Sequence, residues 1–229
     1  VGQGDGGSTI RNISVRDSTV AVTGNYAGGI AGSIITVSSS SFTGDVTGDQ
    51  RLGGIAGMAT NIDNCIAAGT VTSTSTSPTA TVRVGGIVGR VSGSGIISNS
   101  IVLATVSANG KYVGGIAGQA GSSVSNSVAL NPYVNSSATA NVGQIGGYGS
   151  SIGTTSYAWD GMQNAVGTFS FANGAGTPAA SEQVWGNATF YDDLGFTAAN
   201  GWTMGISDTY KLPYPTTHSA IDVDASYLQ

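Results

Sequence analysis

Charged residues are scarce in this chain of 229 residues, because Asp, Glu, Lys and Arg together make up only 8% of it, against about 25% in typical globular proteins. The net charge is −5, and Lys and Arg nowhere form a run. Nucleic acids and anionic membrane surfaces attract clustered bases, so we expect neither as a partner. No apolar stretch approaches the roughly 18 residues that cross a membrane, so we also expect no membrane span.

Cysteine and histidine occur once each, which excludes an internal disulfide and leaves no His-rich zinc site. Cys65 stands in "IDNCIAAG", where other repeats carry Ser, and this indicates a small buried residue rather than a reactive thiol. The carboxylates in "TGDVTGDQ" at 43–50 and at Asp192–Asp193 offer at most a weak Ca²⁺ site, since no calcium-binding signature surrounds them. We otherwise predict no cofactor.

Catalytic groups are equally hard to find. The single histidine, His218, has no nucleophile motif near it, so nothing selects a Ser-His-Asp triad. Parallel β-helices often carry polysaccharide-cleaving carboxylates, but the acids of the repeats, such as Asp45 and Asp63, have no matched bases in equivalent positions. We predict no enzyme and no catalytic residues, with a polysaccharide-active enzyme as the remote alternative.

Glycine, by contrast, is abundant, with 37 residues, and much of it lies in similar blocks. The blocks read "AGGIAGSI" at 27–34, "LGGIAGMA" at 52–59, "VGGIVGRV" at 84–91 and "VGGIAGQA" at 113–120, with a degenerate copy, "VGQIGGYG", at 142–149. Their first glycines, 25 to 32 residues apart, are Gly28, Gly53, Gly85, Gly114 and Gly143. A phosphate-binding loop opens a helix and is normally present once, so this repetition indicates architecture.

The segments between the glycine blocks have the pattern of strands. "DNCIAAGTVTS" at 63–73 and "SNSIVLATVSA" at 98–108 are short, β-branched and alternating, with Gly, Ser, Thr and Asn around them. Repeats of roughly 29 residues with two or three such strands are typical of a solenoid. The sequence therefore predicts an all-β fold, a parallel β-solenoid of about five to six coils.

Equivalent residues of successive coils stack about 4.8 Å apart, so like residues should form columns. An inward column of isoleucines is predicted from Ile30, Ile55, Ile87, Ile116 and Ile145. The block glycines supply either a positive φ at a corner or room for close backbone approach. Two interpretations are open for Asn64, Asn99 and Asn126: an inward ladder of amides at a bend, or solvent-facing turn residues.

The repeated "GGIAG", followed by "N(S/C)" and a Val-rich strand, resembles the GLUG motif. That glycine repeat occurs in large bacterial surface proteins, including adhesin-like proteins and the non-catalytic part of some IgA-cleaving peptidases. The resemblance covers roughly residues 1–155, and the fifth copy departs from it with Gln144 in the second glycine slot. It implies a secreted or surface-attached location, a structural or adhesive role and no catalytic residues.

Residues 156–229 differ in composition, since they contain all three tryptophans and four of the five phenylalanines. We predict an aromatic-rich section that caps the last coil, with a binding face made of these aromatics as the alternative. The end, "SAIDVDASYLQ" at 219–229, alternates apolar and polar residues like an amphipathic strand. Its apolar positions, Ile221, Val223, Ala225 and Tyr227, belong either to a last strand of the cap or to a strand donated to a neighbouring copy.

Two non-enzymatic functions fit these observations. The first is a structural subunit of the cell surface that joins copies of itself head to tail, through the terminal strand, into a filament or surface layer. The second is an adhesin or glycan-binding module of a cell-surface protein. Both imply a secreted, mature chain in an extracellular setting, whose partners are its own copies, other surface proteins or glycans.

Overall fold

A computed structural model describes residues 7–138, 140–149, 151–153, 155–164, 174–205, 211–219 and 224–229. Its strands wind into a parallel β-solenoid of about five turns, which confirms the predicted fold class. Each coil contributes strands to three faces, so the solenoid has a first and a second face of nine strands each and a third face of five. The alternating β-branched runs suit these faces because one side of every strand points into the core.

The strands follow the chain coil by coil. The first coil contains β1 (Thr9–Arg11), β2 (Ser14–Ala21) and β3 (Asn25–Gly28), and the second contains β4 (Ala31–Ser38), β5 (Ser41–Gly48) and β6 (Gln50–Gly53). The third contains β7 (Ala56–Asp63), β8 (Ile66–Ser73) and β9 (Thr81–Gly85). The fourth contains β10 (Val88–Val91), β11 (Ile96–Ser98), β12 (Ile101–Val102), β13 (Thr105–Ala108) and β14 (Lys111–Gly114). The fifth contains β15 (Ala117–Gln119), β16 (Ser123–Ser125), β17 (Val128–Ala129), β18 (Val134–Ser136) and β19 (Val142–Gly143).

A sixth, partial coil and a mixed section complete the fold. The partial coil contains β20 (Gly146–Tyr148), β21 (Ser151–Ile152) and β22 (Tyr157–Trp159). The mixed section contains β23 (Thr177–Ala179), α1 (Ser181–Val184), α2 (Ala188–Asp193), a 3₁₀ helix (Ala198–Asn200), the antiparallel pair β24 (Trp202–Met204) and β25 (Pro213–Pro215), and a last 3₁₀ helix (Ser226–Leu228). None of the described helices has the length and apolar character needed to cross a membrane.

The register of the coils stacks the repeat positions on one another. The five first glycines pair as neighbours across β3, β6, β9, β14 and β19. Backbone hydrogen bonds of 2.9 or 3.0 Å join the five isoleucines in order, and all but the half-buried Ile30 are fully buried. These glycines allow close backbone approach, because a Cβ at Gly53 would lie 2.5 Å from the Cα of Val88 in the next glycine block, 84–91.

The predicted asparagines lie at the corner between the first and second faces. Asn64, Asn99 and Asn126 have φ values of +53°, +46° and +46°, in the left-handed region that Asn tolerates better than most residues. Their side chains are half-buried, and the Asn99 amide donates to the Asp63 carboxylate at 3.1 Å. The structure gives these residues the turn role, so an inward amide ladder is the wrong interpretation.

The inward column at this corner is formed by the next residue along the chain. It contains the buried residues Ser40, Cys65, Ser100 and Ser127. The Ser100 hydroxyl accepts from the Cys65 N–H at 3.2 Å and donates to the Ser98 carbonyl at 2.8 Å. One small side chain thereby satisfies two backbone groups where the chain turns, which explains why Ser or Cys follows the left-handed residue of the corner, which is Ser39 in the second coil and Asn in the next three.

The C-terminal section covers the last coil and then returns along the asparagine corner. Phe190 of α2 packs edge-to-face on Tyr157 of the partial coil, with 5.0 Å between ring centroids. Farther along, the Trp202 indole donates to the side-chain Oδ1 of Asn64 in the third coil at 3.0 Å. Arg16 of the first coil donates to the Ser219 carbonyl at 2.7 Å. We call the described residues 181–205 and 211–219 the flank segment, because they lie beside the coils as well as over their end.

The predicted terminal strand is wrong for its described part. Ile221 and Val223 lie outside the described residues, but Ala225 is buried and Tyr227 belongs to the last 3₁₀ helix. The Asp224 carboxylate accepts the Ser226 N–H at 3.0 Å and so starts this turn. The Tyr227 hydroxyl donates to the Leu130 carbonyl of the fifth coil at 2.6 Å, and burial of the ring raises its pKa. The end of the chain therefore packs on its own solenoid.

Candidate ligand-binding face

Two columns of mostly large, half-buried or exposed side chains run beside the glycine blocks, and we call them together the arginine–tyrosine ridge. The first column holds the residue two places before each first glycine: Tyr26, Arg51, Arg83, Tyr112 and Asn141. The second column holds the residue after each block's last glycine: Ser33, Met58, Arg90, Gln119 and Tyr148. The ridge thus collects three arginines and three tyrosines from six places in the chain.

The backbone of the first column is strained. Arg51, Arg83 and Tyr112 have φ values of +52°, +57° and +67°, which cost roughly 1–2 kcal/mol for a residue with a Cβ. The pairing of β9 with β14 shifts register at Lys111 and Val113, as at a bulge. Each left-handed residue turns its side chain out of the third face. Strain of this kind is frequent at binding sites.

The last glycine of each block makes room for these bulges. A Cβ on Gly118 would lie 2.3 Å from the Val84 nitrogen and 2.4 Å from the Arg83 carbonyl carbon. A Cβ on Gly89 would lie 2.4 Å from the Arg51 carbonyl carbon. All three of these atoms belong to the backbone, so none of them can avoid the added Cβ by a change of rotamer. These glycines therefore support the ridge from beneath.

Aromatic and cationic groups of the ridge contact one another. The Tyr112 and Tyr148 rings stack at 4.3 Å with an interplanar angle of 4°, and Tyr148 is 47% exposed. The Arg83 guanidinium lies 5.6 Å from the Tyr112 ring centroid, and its Nε donates to the Gln119 side chain at 2.7 Å. Such contacts limit the rotamers of the large side chains before any ligand arrives.

The charge of the ridge is positive and unbalanced. Burial, and next the charges of Arg51 and Arg90, lower the pKa of the Arg83 guanidinium. Within the part of the chain that the structure describes, none of the three guanidiniums is paired with a carboxylate. The Nε atoms of Arg51 and Arg90 are buried and have no hydrogen-bond partner among the described residues. A chain of net charge −5 therefore keeps three cations without a described carboxylate partner at the corner between the third and first faces.

The residues considered for metal binding and catalysis are not brought together. Asp45 accepts the Thr70 hydroxyl at 2.6 Å, whereas Asp192 and Asp193 are exposed in α2. In the described ranges, no three His, Cys, Asp or Glu side chains are grouped as a metal site would require. His218 lies near Arg16, and its pKa is lowered by burial and then by the Arg16 charge.

Cys65 is a core residue in its environment as well as in its position. Its thiol is fully buried, and its sulfur lies 3.3 Å from the Asp63 carbonyl oxygen. Burial, with a smaller contribution from the Asp63 charge, raises the pKa of the Cys65 thiol to about 12. The thiol is therefore neutral near pH 7 and lacks the thiolate form needed for nucleophilic chemistry.

The sequence-based predictions missed the ridge and the last glycines. Their signal is visible when each block is read from one residue earlier: "RLGGIAGM", "RVGGIVGR", "YVGGIAGQ" and "NVGQIGGY". The flanking positions hold mostly large polar or aromatic residues, but the arginines are far apart in the chain and form no basic run. Only the stacking of coils makes them neighbours.

No family model matches the chain, and comparison with curated proteins gives no significant match. Among solved structures, the fold is similar to the crystal structure of a "putative immunoglobulin A1 protease from Bacteroides ovatus". The TM-score is 0.65 with 19% sequence identity, and the alignment covers 90% of this chain and 76% of that chain. A likeness at this identity establishes a shared solenoid fold and no activity.

Proposed function

We propose that this chain is a non-catalytic module of an extracellular surface protein and that it adheres to glycan-bearing surfaces through the arginine–tyrosine ridge. The resemblance of its repeats to the GLUG motif supports the surface location. The low content of charged residues, 8%, suits such a setting. The similarity in fold to a bacterial protein described as a protease is compatible with a surface role, and the proposal assigns no protease activity to this chain.

The observation that carries the proposal is the cluster of three guanidiniums that have no carboxylate partner among the described residues and lie beside stacked tyrosines. Arginine and tyrosine are, with tryptophan, the side chains enriched at the energetic centre of protein interfaces. Here the stacked coils fix their spacing, and their contacts with one another restrict their rotamers, as Tyr112 and Tyr148 illustrate. A ligand would therefore pay little ordering entropy when it binds.

Adhesion to a mucin film provides the test. Beads coated with the purified chain should be retained on mucin more strongly than on an albumin film. The double variant Arg83→Asn/Tyr148→Ala should reduce retention at least about tenfold, since each residue at the centre of an interface contributes more than about 1 kcal/mol. Asn is chosen because Asn141 occupies the same slot of the next-but-one coil with a φ of +60°.

The control variant is Arg11→Gln, which removes the same charge from an exposed position on β1, outside the ridge. Retention of these beads should equal that of the wild type. Equal retention of wild-type and double-variant beads on mucin would contradict the proposal, provided that thermal unfolding and circular dichroism of the variant are unchanged.

End-to-end assembly is the second candidate, and the uncovered edge of the first coil favours it. Among the described residues, β1, β2 and β3 have no strand on their outer side. An apolar hollow of about 420 Å³ opens there, lined in part by Ile10, Ile13 and Val15, and Ile13 is 42% exposed. Such an edge is a template for another coil. The occupant that we propose is a second copy of the chain.

Light scattering over a range of concentrations, with negative-stain electron microscopy, tests assembly. We expect rods longer than one chain that shorten to single copies in the variant Ile13→Lys, because a buried ammonium would oppose the contact. Thr19→Lys, on an exposed position of β2, is the matched control. Single copies of the wild type at every concentration would eliminate this candidate and leave the adhesive proposal untouched.

A further inference from the structure

We infer that the arginine–tyrosine ridge binds acidic glycan chains, with guanidiniums on the acid groups and tyrosine faces on the sugar rings. The inference rests on the proposed adhesive function and names the class of ligand. The chain is then selective for glycans that carry carboxylate or sulfate groups over neutral glycans.

The unbalanced charge identifies the acidic group as part of the ligand. Three arginines lie at the corner between the third and first faces without a carboxylate partner among the described residues, and Arg83 is close enough to Arg51 and Arg90 to be affected by both charges. Their mutual repulsion disfavours the empty face and is relieved when an anion binds. Guanidinium groups also donate paired hydrogen bonds that match the geometry of carboxylates and sulfates.

The tyrosines favour a sugar over other anionic ligands. The exposed Tyr148 ring, backed by the parallel Tyr112 ring, presents a flat apolar face with a polar edge. A sugar ring is likewise apolar on one face and polar around its rim. Among the other ridge positions, the half-buried Asn141 offers a small polar contact in place of the apolar centre of a protein interface, whereas Ser33 is buried.

The arrangement suits a chain that lies along the solenoid axis. Arg51, Arg83 and Tyr112 come from consecutive coils, which are about 4.8 Å apart. A linear glycan in this direction would meet cations at the second to fourth coils and stacked rings at the end of the ridge. A polyanion of high charge density fits less well, because three arginines neutralise few phosphates and the chain as a whole carries −5.

Binding to defined chains tests the inference. Hyaluronan oligosaccharides, oligomers of polysialic acid and sulfated keratan oligosaccharides are immobilised, beside hyaluronan whose carboxyl groups have been reduced to alcohols. Biolayer interferometry should detect binding of the wild-type chain to at least one acidic glycan. Reduced hyaluronan should bind at least about tenfold more weakly than hyaluronan if the carboxylate is the recognised group. Binding to sulfated keratan alone would identify sulfate as that group.

The variants separate the ridge from general charge effects. Arg51→Asn and Arg83→Asn should each weaken binding of the acidic glycan about tenfold, whereas Arg11→Gln should leave it unchanged. Raising the salt concentration should weaken wild-type binding, because exposed charges are screened. Tyr148→Ala should weaken binding at all salt concentrations, since the stacking contact carries no charge.

Several outcomes would overturn the inference. The first is that the chain binds none of the three acidic glycans. The second is that it binds hyaluronan and reduced hyaluronan equally and binds neither sulfated keratan nor polysialic acid. The third is that it binds polyglutamate or single-stranded DNA more tightly than any of these glycans. The wild-type chain could instead adhere to mucin, lose this adhesion in the double variant and bind only neutral glycans. That result would support the adhesive proposal and refute acidic glycans as the ligand class. If the wild-type chain neither adheres to mucin nor binds any glycan, both the adhesive proposal and the acidic ligand class are refuted.

Discussion

Gly118→Ala is expected to lower the free energy of unfolding by at least about 3 kcal/mol, although it adds a single methyl group. The added Cβ would lie 2.3 Å from the Val84 nitrogen and 2.4 Å from the Arg83 carbonyl carbon. Both atoms belong to a bulged backbone that the neighbouring coils hold in register. Relief of the clash therefore requires the coils to separate locally, which also breaks backbone hydrogen bonds.

The same substitution should disturb the ridge, because Gly118 lies directly beneath Arg83. Displacement of the bulge would move the guanidinium away from Gln119 and Tyr112, which now hold it. Chemical denaturation followed by circular dichroism measures the loss of stability. Adhesion of the variant to mucin, at a temperature where it is still folded, measures the effect on the ridge.

Gly24→Ala is the matched control, since its Cβ would meet nothing within 4 Å and its φ is not in the left-handed range. Its free energy of unfolding should change by less than about 1 kcal/mol, with a small stabilisation expected from the reduced entropy of the unfolded chain. Equal stability of the two alanine variants would refute the role given to the last glycine of each block.

Trp202→Ala is expected to cost about 3–5 kcal/mol and to release the flank segment from the solenoid. The indole is only 1% exposed and packs edge-to-face on Phe196, with 4.7 Å between ring centroids. Its Nε1 donates to Asn64, so the substitution also removes a hydrogen bond from the corner of the third coil. The flank segment has few backbone pairings of its own, and the antiparallel pair β24–β25 has only two strands.

Limited proteolysis distinguishes loss of the flank segment from global unfolding. In the alanine variant, cleavage should concentrate between residues 181 and 219 while the coils stay protected, because local opening exposes only the segment with the fewest contacts. Trp185→Ala, at a half-buried position of the same segment, should have the smaller effect on melting temperature. Cleavage that begins within the coils in Trp202→Ala would contradict this account.

The tail illustrates where periodicity misleads. Alternating apolar residues at 219–229 predicted a strand, but Ala225 is buried just before a 3₁₀ turn from which Tyr227 donates to the fifth coil. Apolar side chains at alternate positions are compatible with either structure when the segment is short. Two hydrogen bonds favour the turn over the strand: the Asp224 carboxylate accepts the Ser226 N–H, and the Leu130 carbonyl accepts the Tyr227 hydroxyl. The alternation of apolar and polar residues contains no information about either contact.

At the asparagine corner, too, the repeat pattern left the direction of the side chains undetermined. Asn and the following Ser or Cys recur together, so the repeat indicates that both matter. It does not indicate which of the two points inward. The left-handed φ of Asn64 and its neighbours turns their side chains outward and leaves the small residue to satisfy the bend.

By itself, the sequence determined the coil: the parallel β-solenoid, its period and the columns of like residues formed by Ile55, Ile87 and Ile116. These follow from repetition, because a slot that stacks on its own copy is best filled by the same residue in each coil. The tertiary structure alone decided the path of the flank segment and the grouping of Arg51, Arg83 and Arg90 at one corner of the solenoid. Both depend on contacts between residues that are far apart in the chain, and the second also requires the left-handed bulges and the backbone approach that the last glycines allow.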